Sequence, residues 1–279
     1  LALGIFGIGT SGPIIAGSKM PIPSLIFWRN LGGSLLLLPF AVRNREWKNT
    51  KQKRAIKWSM LAGFLLGLHF LAFFAAMRYT TVATGTALTC LQPIFAALYV
   101  SLRGSKIPRK SWSGMAIAFL SVFFITGIDL ALGTKYFLGD LAGILGGALA
   151  AAYMLTGAHA QKVISTSTYA VVCYFFSAVT ALCAALIFGV QLWGFKAREW
   201  FLCALLILGA QILGHTMFNL TLKRVSPVIV SLIVFFEVPV SAILAAIWLH
   251  QKLASGIIPG LLGLLIGCSL FVVRSSSND

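Results

Sequence analysis

The chain has 279 residues, 59% hydrophobic and 10% charged, with a formal net charge of +16 and a mean hydropathy of +0.93. A water-soluble domain carries about 25% charged residues, so this balance excludes a soluble globular protein and points to a chain dissolved in a bilayer. In a soluble protein the positive charge would suggest nucleic acid. Its distribution along this chain assigns it to membrane topology instead, and no nucleic-acid partner is expected.

A hydrocarbon core about 30 Å thick needs roughly 20 apolar residues per helix. Ten segments qualify: 1–18, 24–42, 57–78, 80–101, 111–128, 138–160, 167–190, 199–222, 226–249 and 253–273. They are too long and too evenly apolar for β-barrel strands. Leu1 already lies in an apolar run, so no cleavable leader is expected. Thr10, Ser11, Gly12 and Pro13 interrupt the first segment. Such a break either kinks the helix or turns backbone groups toward a cavity. In the second segment Arg29 either snorkels to the surface or meets an anionic group. The basic run 43–57 follows.

The third segment holds His69, nine residues from Arg78 and so about 13 Å deep at 1.5 Å per residue. Its helical face continues with Phe73 and Met77. An ionisable group at such depth costs roughly 2.5–3.5 kcal/mol, so it faces a cavity or a hydrogen-bonding partner. The fourth segment carries Gln92 beside Pro93. The sixth has Gly139, Gly143 and Gly147 at intervals of four, a face for close helix packing, and Tyr153 among small residues. In the eighth, Gln211, His215 and Asn219 are spaced by four and form one polar stripe. That stripe is either a cavity wall or interhelical glue. In the ninth, Glu237 sits near the midplane before Pro239, a candidate for proton coupling or a structural acid. Gly256, Gly260, Gly263 and Gly267 give the tenth segment small-residue faces as well. The five cysteines lie singly in apolar runs, without metal or redox spacing.

Fifteen Lys and Arg fall after the even-numbered segments and at the C-terminus, against six in the opposite set of loops. The first set is expected to be cytoplasmic, with both termini inside. A repeat also emerges at an offset of 146 residues. It pairs Gly63 with Gly209, His69 with His215, Arg78 with Arg224, Pro93 with Pro239, Lys106 with Lys252 and Gly114 with Gly260. Each half, 1–128 and 138–273, holds five segments. An odd number makes the halves insert with opposite orientation, the architecture of secondary transporters. The fold class expected is therefore an all-α integral membrane protein, ten transmembrane helices arranged as two inverted five-helix repeats.

The stretches "GLHFLAFFAAMRYTTVATGTALTCLQPIFAALY" (67–99) and "LTLKRVSPVIVSLIVFFEVPVSAILAAIWLHQKL" (220–253), with "GTSGP" (9–13), resemble the drug/metabolite transporter superfamily, specifically its EamA-type members. The resemblance implies a multi-pass transporter of bacterial inner-membrane type. It favours amino acid export, and the chain resembles exporters of aromatic amino acids. In those, a histidine of helix 3 and an aromatic residue of helix 6 line the cavity, which implies such roles for His69 and Tyr153. Many members place a Glu after the fourth helix of each repeat. This chain has Ser105 and Gln251 there, and any structural role of those carboxylates is expected to be absent.

The substrate-cavity candidates are thus Thr10, Ser11, His69, Phe73, Gln92, Tyr153, Gln211, His215 and Asn219, with Glu237 for proton coupling. The cavity is expected between helices 1, 3, 4, 6, 8 and 9, with helices 5 and 10 peripheral. The partners expected are a small-molecule substrate and the lipid bilayer, with no cofactor and no metal. The oligomeric state stays open, a monomer included. A channel or lipid scramblase is the alternative, although no rings of charge suggest an ion pore. An intramembrane enzyme is less favoured, since neither HExxH nor a GxS motif facing a His is present. A metal set of His69, His215 and Glu237 would need the three to converge.

Overall fold

The computed structural model describes residues 2–104, 108–217, 220, 235–252, 255 and 257–276. Every regular element among them is helical. In chain order these are α1 (Ala2–Gly9), α2 (Ser11–Gly17), α3 (Ile22–Asn44), α4 (Thr50–Tyr79), α5 (Val82–Thr89), α6 (Gln92–Ser101), α7 (Trp112–Leu132), α8 (Thr134–Gln161), α9 (Thr166–Ile187) and α10 (Ala197–Leu205). A π-helical segment (Leu206–Thr216) continues α10, and α11 (Glu237–Leu249) and α12 (Ile257–Ser276) complete the set. Among the described residues, seven helices are long and apolar enough to cross a membrane, counting Val82–Ser101 and Ala197–Thr216 as single spans. Gly4–Gly17, Glu237–Leu249 and Ile257–Val273 are shorter apolar helices. The protein is thus helical and multi-pass. Large side chains such as Leu120, Phe123, Leu186 and Ile187 point outward, as they do when the surrounding solvent is lipid.

Local chemistry sets the helix ends. Asn49 and Gln52 form a reciprocal capping box at the start of α4. The Ser165 hydroxyl accepts from Thr168 N to cap α9, and the Glu46 carboxylate accepts from Ser165 N at 2.9 Å, holding the basic loop against that helix. Thr81 caps α5. Gln251 serves the same terminus: its Oε1 accepts from Val82 N at 3.1 Å. Position 251 thus carries no carboxylate but still makes a structural contact. Capping an N–H needs a carbonyl-type oxygen, and the amide supplies one without charge. Ser105 lies outside the described residues.

Two of the predicted spans are broken. The first breaks at Thr10, because Pro13 has no N–H to give Gly9 O. Ser241 of α11 satisfies that carbonyl, its hydroxyl donating at 2.9 Å. The span 80–101 breaks at Cys90 and Leu91, just before Pro93. Here Gly147 of α8 packs closely: a Cβ added to it would lie 2.9 Å from Thr89 O. Gly139 and Gly143 abut Thr80 and Leu88 in the same way, so the glycine series brings α8 onto the α4–α5 hairpin. At the side of the bundle α7 and α12 approach through Gly114 and Gly267, each of which would meet the other's carbonyl oxygen if given a Cβ. Gly256 lies outside the described residues.

Candidate functional site

Arg29 on α3 organises the centre of the bundle. It does not snorkel. The residue is 1% exposed, and its Nε, Nη1 and Nη2 have no hydrogen-bond partner. The guanidinium instead lies over the Phe70 ring, 4.2 Å from the centroid, with the Phe74 ring at 5.6 Å. Its direction follows from helix packing. Gly33 is one turn further along the same face, and a Cβ there would come within 2.9 Å of Gln211 Nε2. Gly32 admits Ile207 at a comparable 2.6 Å. These two glycines let the π segment press against α3 and rotate Arg29 inward, away from any surface it could reach. Asn30 completes the contact, its Oδ1 accepting from Gln211 Nε2 at 3.1 Å.

Phe70 separates the two histidines. The His69 ring is 5.1 Å from Phe70, and His215 meets Phe70 edge-on at 5.8 Å. His69 also stacks on Phe73 at 5.7 Å and lies 5.9 Å from Tyr153. Its Nδ1 is 2.8 Å from Gly146 O. A carbonyl can only accept, so Nδ1 carries a proton, and in the neutral ring Nε2 keeps its lone pair. The Gly146 carbonyl therefore fixes the tautomer of a histidine that stands between two aromatic rings. Tyr153, Tyr174, Cys203 and Glu237 all act electrostatically on the Arg29 guanidinium, and Glu237 is the one acid among them. The structure thus groups Arg29, His69, Phe73, Tyr153 and His215 around Phe70.

The other sequence candidates are placed differently. Gln211 is wholly buried and spends its Nε2 on Asn30, while its Oε1 is unpartnered. The Thr10 hydroxyl donates to Gly7 O at 2.7 Å, and Ser11 is buried at the start of α2. The Gln92 amide donates to the Met154 sulfur. Asn219 lies outside the described residues. Thr216, on the π segment, donates to Gln211 O at 3.0 Å and pairs with Tyr174 OH at 3.2 Å. π turns are frequent at functional sites, and this one carries both Gln211 and His215.

Sequence reasoning passed over two further groups. Asp129 and Asp140 are both fully buried where α7 gives way to α8, and they interact side chain to side chain. Thr80 donates to Asp129 Oδ2 at 3.3 Å. Near the same end of the bundle Glu199 holds the turn between α2 and α3. Its Oε2 accepts from Ser18 Oγ at 2.6 Å, Lys19 N at 2.8 Å and Met20 N at 3.2 Å. Arg78 Nη2 donates to Met20 O at 2.6 Å. The signal available in advance was scarcity: six acids in 279 residues, so each buried one stands out. Among the described residues no three His, Cys, Asp or Glu side chains converge to hold a metal ion.

A multi-pass helical bundle with broken helices and a buried polar group at its centre is an arrangement that membrane transport proteins use. The comparisons with known proteins name the family. The EamA-like transporter family model matches residues 1–127 and again 137–273, and the chain belongs to that family. Its members are transporters of small molecules, which fits a non-enzyme. No curated protein matches the chain significantly. Fifteen solved chains do match its structure. One, described only as a protein crystal structure, is 16% identical with a TM-score of 0.62, covering 96% of this chain and 97% of its own. At that identity the likeness is one of fold.

Proposed function

We propose that the protein is a secondary transporter that exports an amino acid across the inner membrane by alternating access. The observation that carries this reading is the group around Phe70. A guanidinium, a tautomer-fixed imidazole, a tyrosine and a second histidine from four different elements meet at stacked aromatic rings. An amphipathic zwitterion suits such a setting, its ring against Phe70, Phe73 and Tyr153 and its charged groups toward the polar side chains. On this reading all ten apolar segments span the bilayer, as two inverted five-helix halves. The double match of one family model supports that division. The basic loops and both termini face the cytoplasm, from the Lys and Arg distribution. The breaks at Thr10 and at Cys90–Leu91, with the start of α11 beside them, supply the discontinuous backbone that alternating access uses.

The test is counterflow in proteoliposomes. Labelled aromatic and aliphatic amino acids are offered outside with an excess of each inside. A carrier accumulates label transiently against unlabelled compound, whereas a channel or scramblase shows no trans-stimulation. Failure of every amino acid to drive counterflow would remove this substrate class. Glu237→Gln asks the coupling question separately, because Glu237 acts as proton acceptor only if the variant loses the pH dependence of transport.

A further inference from the structure

We infer that Arg29 is the residue that receives the cargo's anionic group, so that a carboxylate is required for transport. The inference rests on the transporter reading above and deepens it. The argument is one of charge accounting. A guanidinium presents five N–H donors and stays charged in proteins. All three of its nitrogens are buried here without a hydrogen-bond partner. A cation–π contact with Phe70 supplies part of the compensation, but an aromatic face accepts no N–H···O geometry and leaves the fork unfilled. Glu237 acts on Arg29 electrostatically and makes no hydrogen bond to it. His69 and His215, also in range, add no negative charge.

The planar fork matches a carboxylate bidentately, which a lysine or an amide does not. Two neighbours complete the selection. His69 Nε2, left as an acceptor by the Nδ1–Gly146 bond, suits a donor on the cargo such as an ammonium. Phe70 lies over the guanidinium and belongs to α4, the helix that also carries His69.

The experiment is competition against counterflow in the wild-type protein, with Arg29→Gln and Arg29→Lys beside it. Each competitor is offered as a series: the amino acid, its amide (carboxylate neutralised) and its N-acetyl derivative (ammonium neutralised). We expect the amide to compete at least ~30-fold more weakly than the acid, the scale of losing one partner of a buried charge pair. Arg29→Gln should abolish counterflow, and Arg29→Lys should retain a small fraction of it. The melting temperature of Arg29→Gln in detergent should not fall, since a buried unpaired charge is being removed. A variant that melts lower and still prefers the acid over the amide would show a structural arginine and overturn the inference. Equal competition by acid and amide in the wild type overturns it also, while leaving the transporter reading in place, and that arm needs no variant to fold. If no compound in the series drives counterflow at all, the transporter reading fails and this inference falls with it.

Discussion

Glu199 offers the most direct test of the packing argument. Its Oε2 accepts three donors from the turn between α2 and α3: Ser18 Oγ at 2.6 Å, Lys19 N at 2.8 Å and Met20 N at 3.2 Å. Arg198 Nη1 meets Oε1 at 2.9 Å. Substituting Glu199→Ala leaves two backbone N–H groups and a hydroxyl without that partner. Each buried donor left unmade costs about 1–3 kcal/mol, but Lys19 lies at the surface and water can satisfy it. Met20 N keeps its 3.2 Å bond to Ser18 Oγ, so counting the buried Ser18 hydroxyl in full and the other two at little gives about 1–3 kcal/mol of local opening free energy. Every 1.4 kcal/mol is tenfold, so amide hydrogen exchange over residues 18–20 should accelerate roughly 5-fold or more. Glu199→Gln keeps an acceptor oxygen while removing the charge, and charge-assisted bonds are about twice as strong as neutral ones. Its effect should be a fraction of the alanine effect. The assay is exchange measured by mass spectrometry on protein in detergent or nanodiscs, with α9 peptides as the internal reference. Unchanged exchange at Lys19 and Met20 in Glu199→Ala would refute the reasoning.

Three further outcomes follow from the geometry. Ser241→Ala should lower thermal stability by about 1–2 kcal/mol, because Gly9 O loses its donor at the Pro13 break, and Ser241→Thr should restore most of it. Gly63→Ala places a Cβ 2.4 Å from Cys173 O and should cost about 1–3 kcal/mol as α4 and α9 separate, whereas Gly146→Ala, with 3.5 Å to its nearest neighbour, should be tolerated. The melting curves of the two glycine variants, run together, check the contrast. Asp140→Asn should raise stability at neutral pH by about 1 kcal/mol, since two fully buried acids face one another and the amide relieves the like-charge contact. A clear fall in its melting temperature would mean that the pair is held for another reason.

The solvent of this chain and its helical segments were legible in the sequence. Both depend on local quantities, the run length of apolar residues and the scarcity of charge, which need no knowledge of neighbours. The closeness of His69, Phe73 and Tyr153 was partly legible too, since His69 and Phe73 share a helical face and family likeness implied a role for Tyr153. Gln211 shows the limit of such reasoning. Its spacing from His215 suggested one polar stripe, but the π segment meets two neighbours at once, so Gln211 bonds Asn30 on α3 while His215 touches Phe70 on α4.

Arg29 and the Asp129–Asp140 pair show what sequence alone left undecided. An arginine six residues inside a segment is compatible with snorkelling or with burial, and hydropathy is blind to the rotation of a helix about its own axis. Gly32 and Gly33 decide it, but only through Ile207 and Gln211, nearly two hundred residues away in the chain. Asp129 and Asp140 are ordinary acids near the ends of their helices until α7 and α8 close on Thr80 and bury both. By itself the sequence determined that this chain is a membrane-embedded set of helices of the EamA type. Tertiary structure decided which polar groups are consumed in holding helices together and which buried charge is left without a partner, because that depends on what each side chain meets across the bundle.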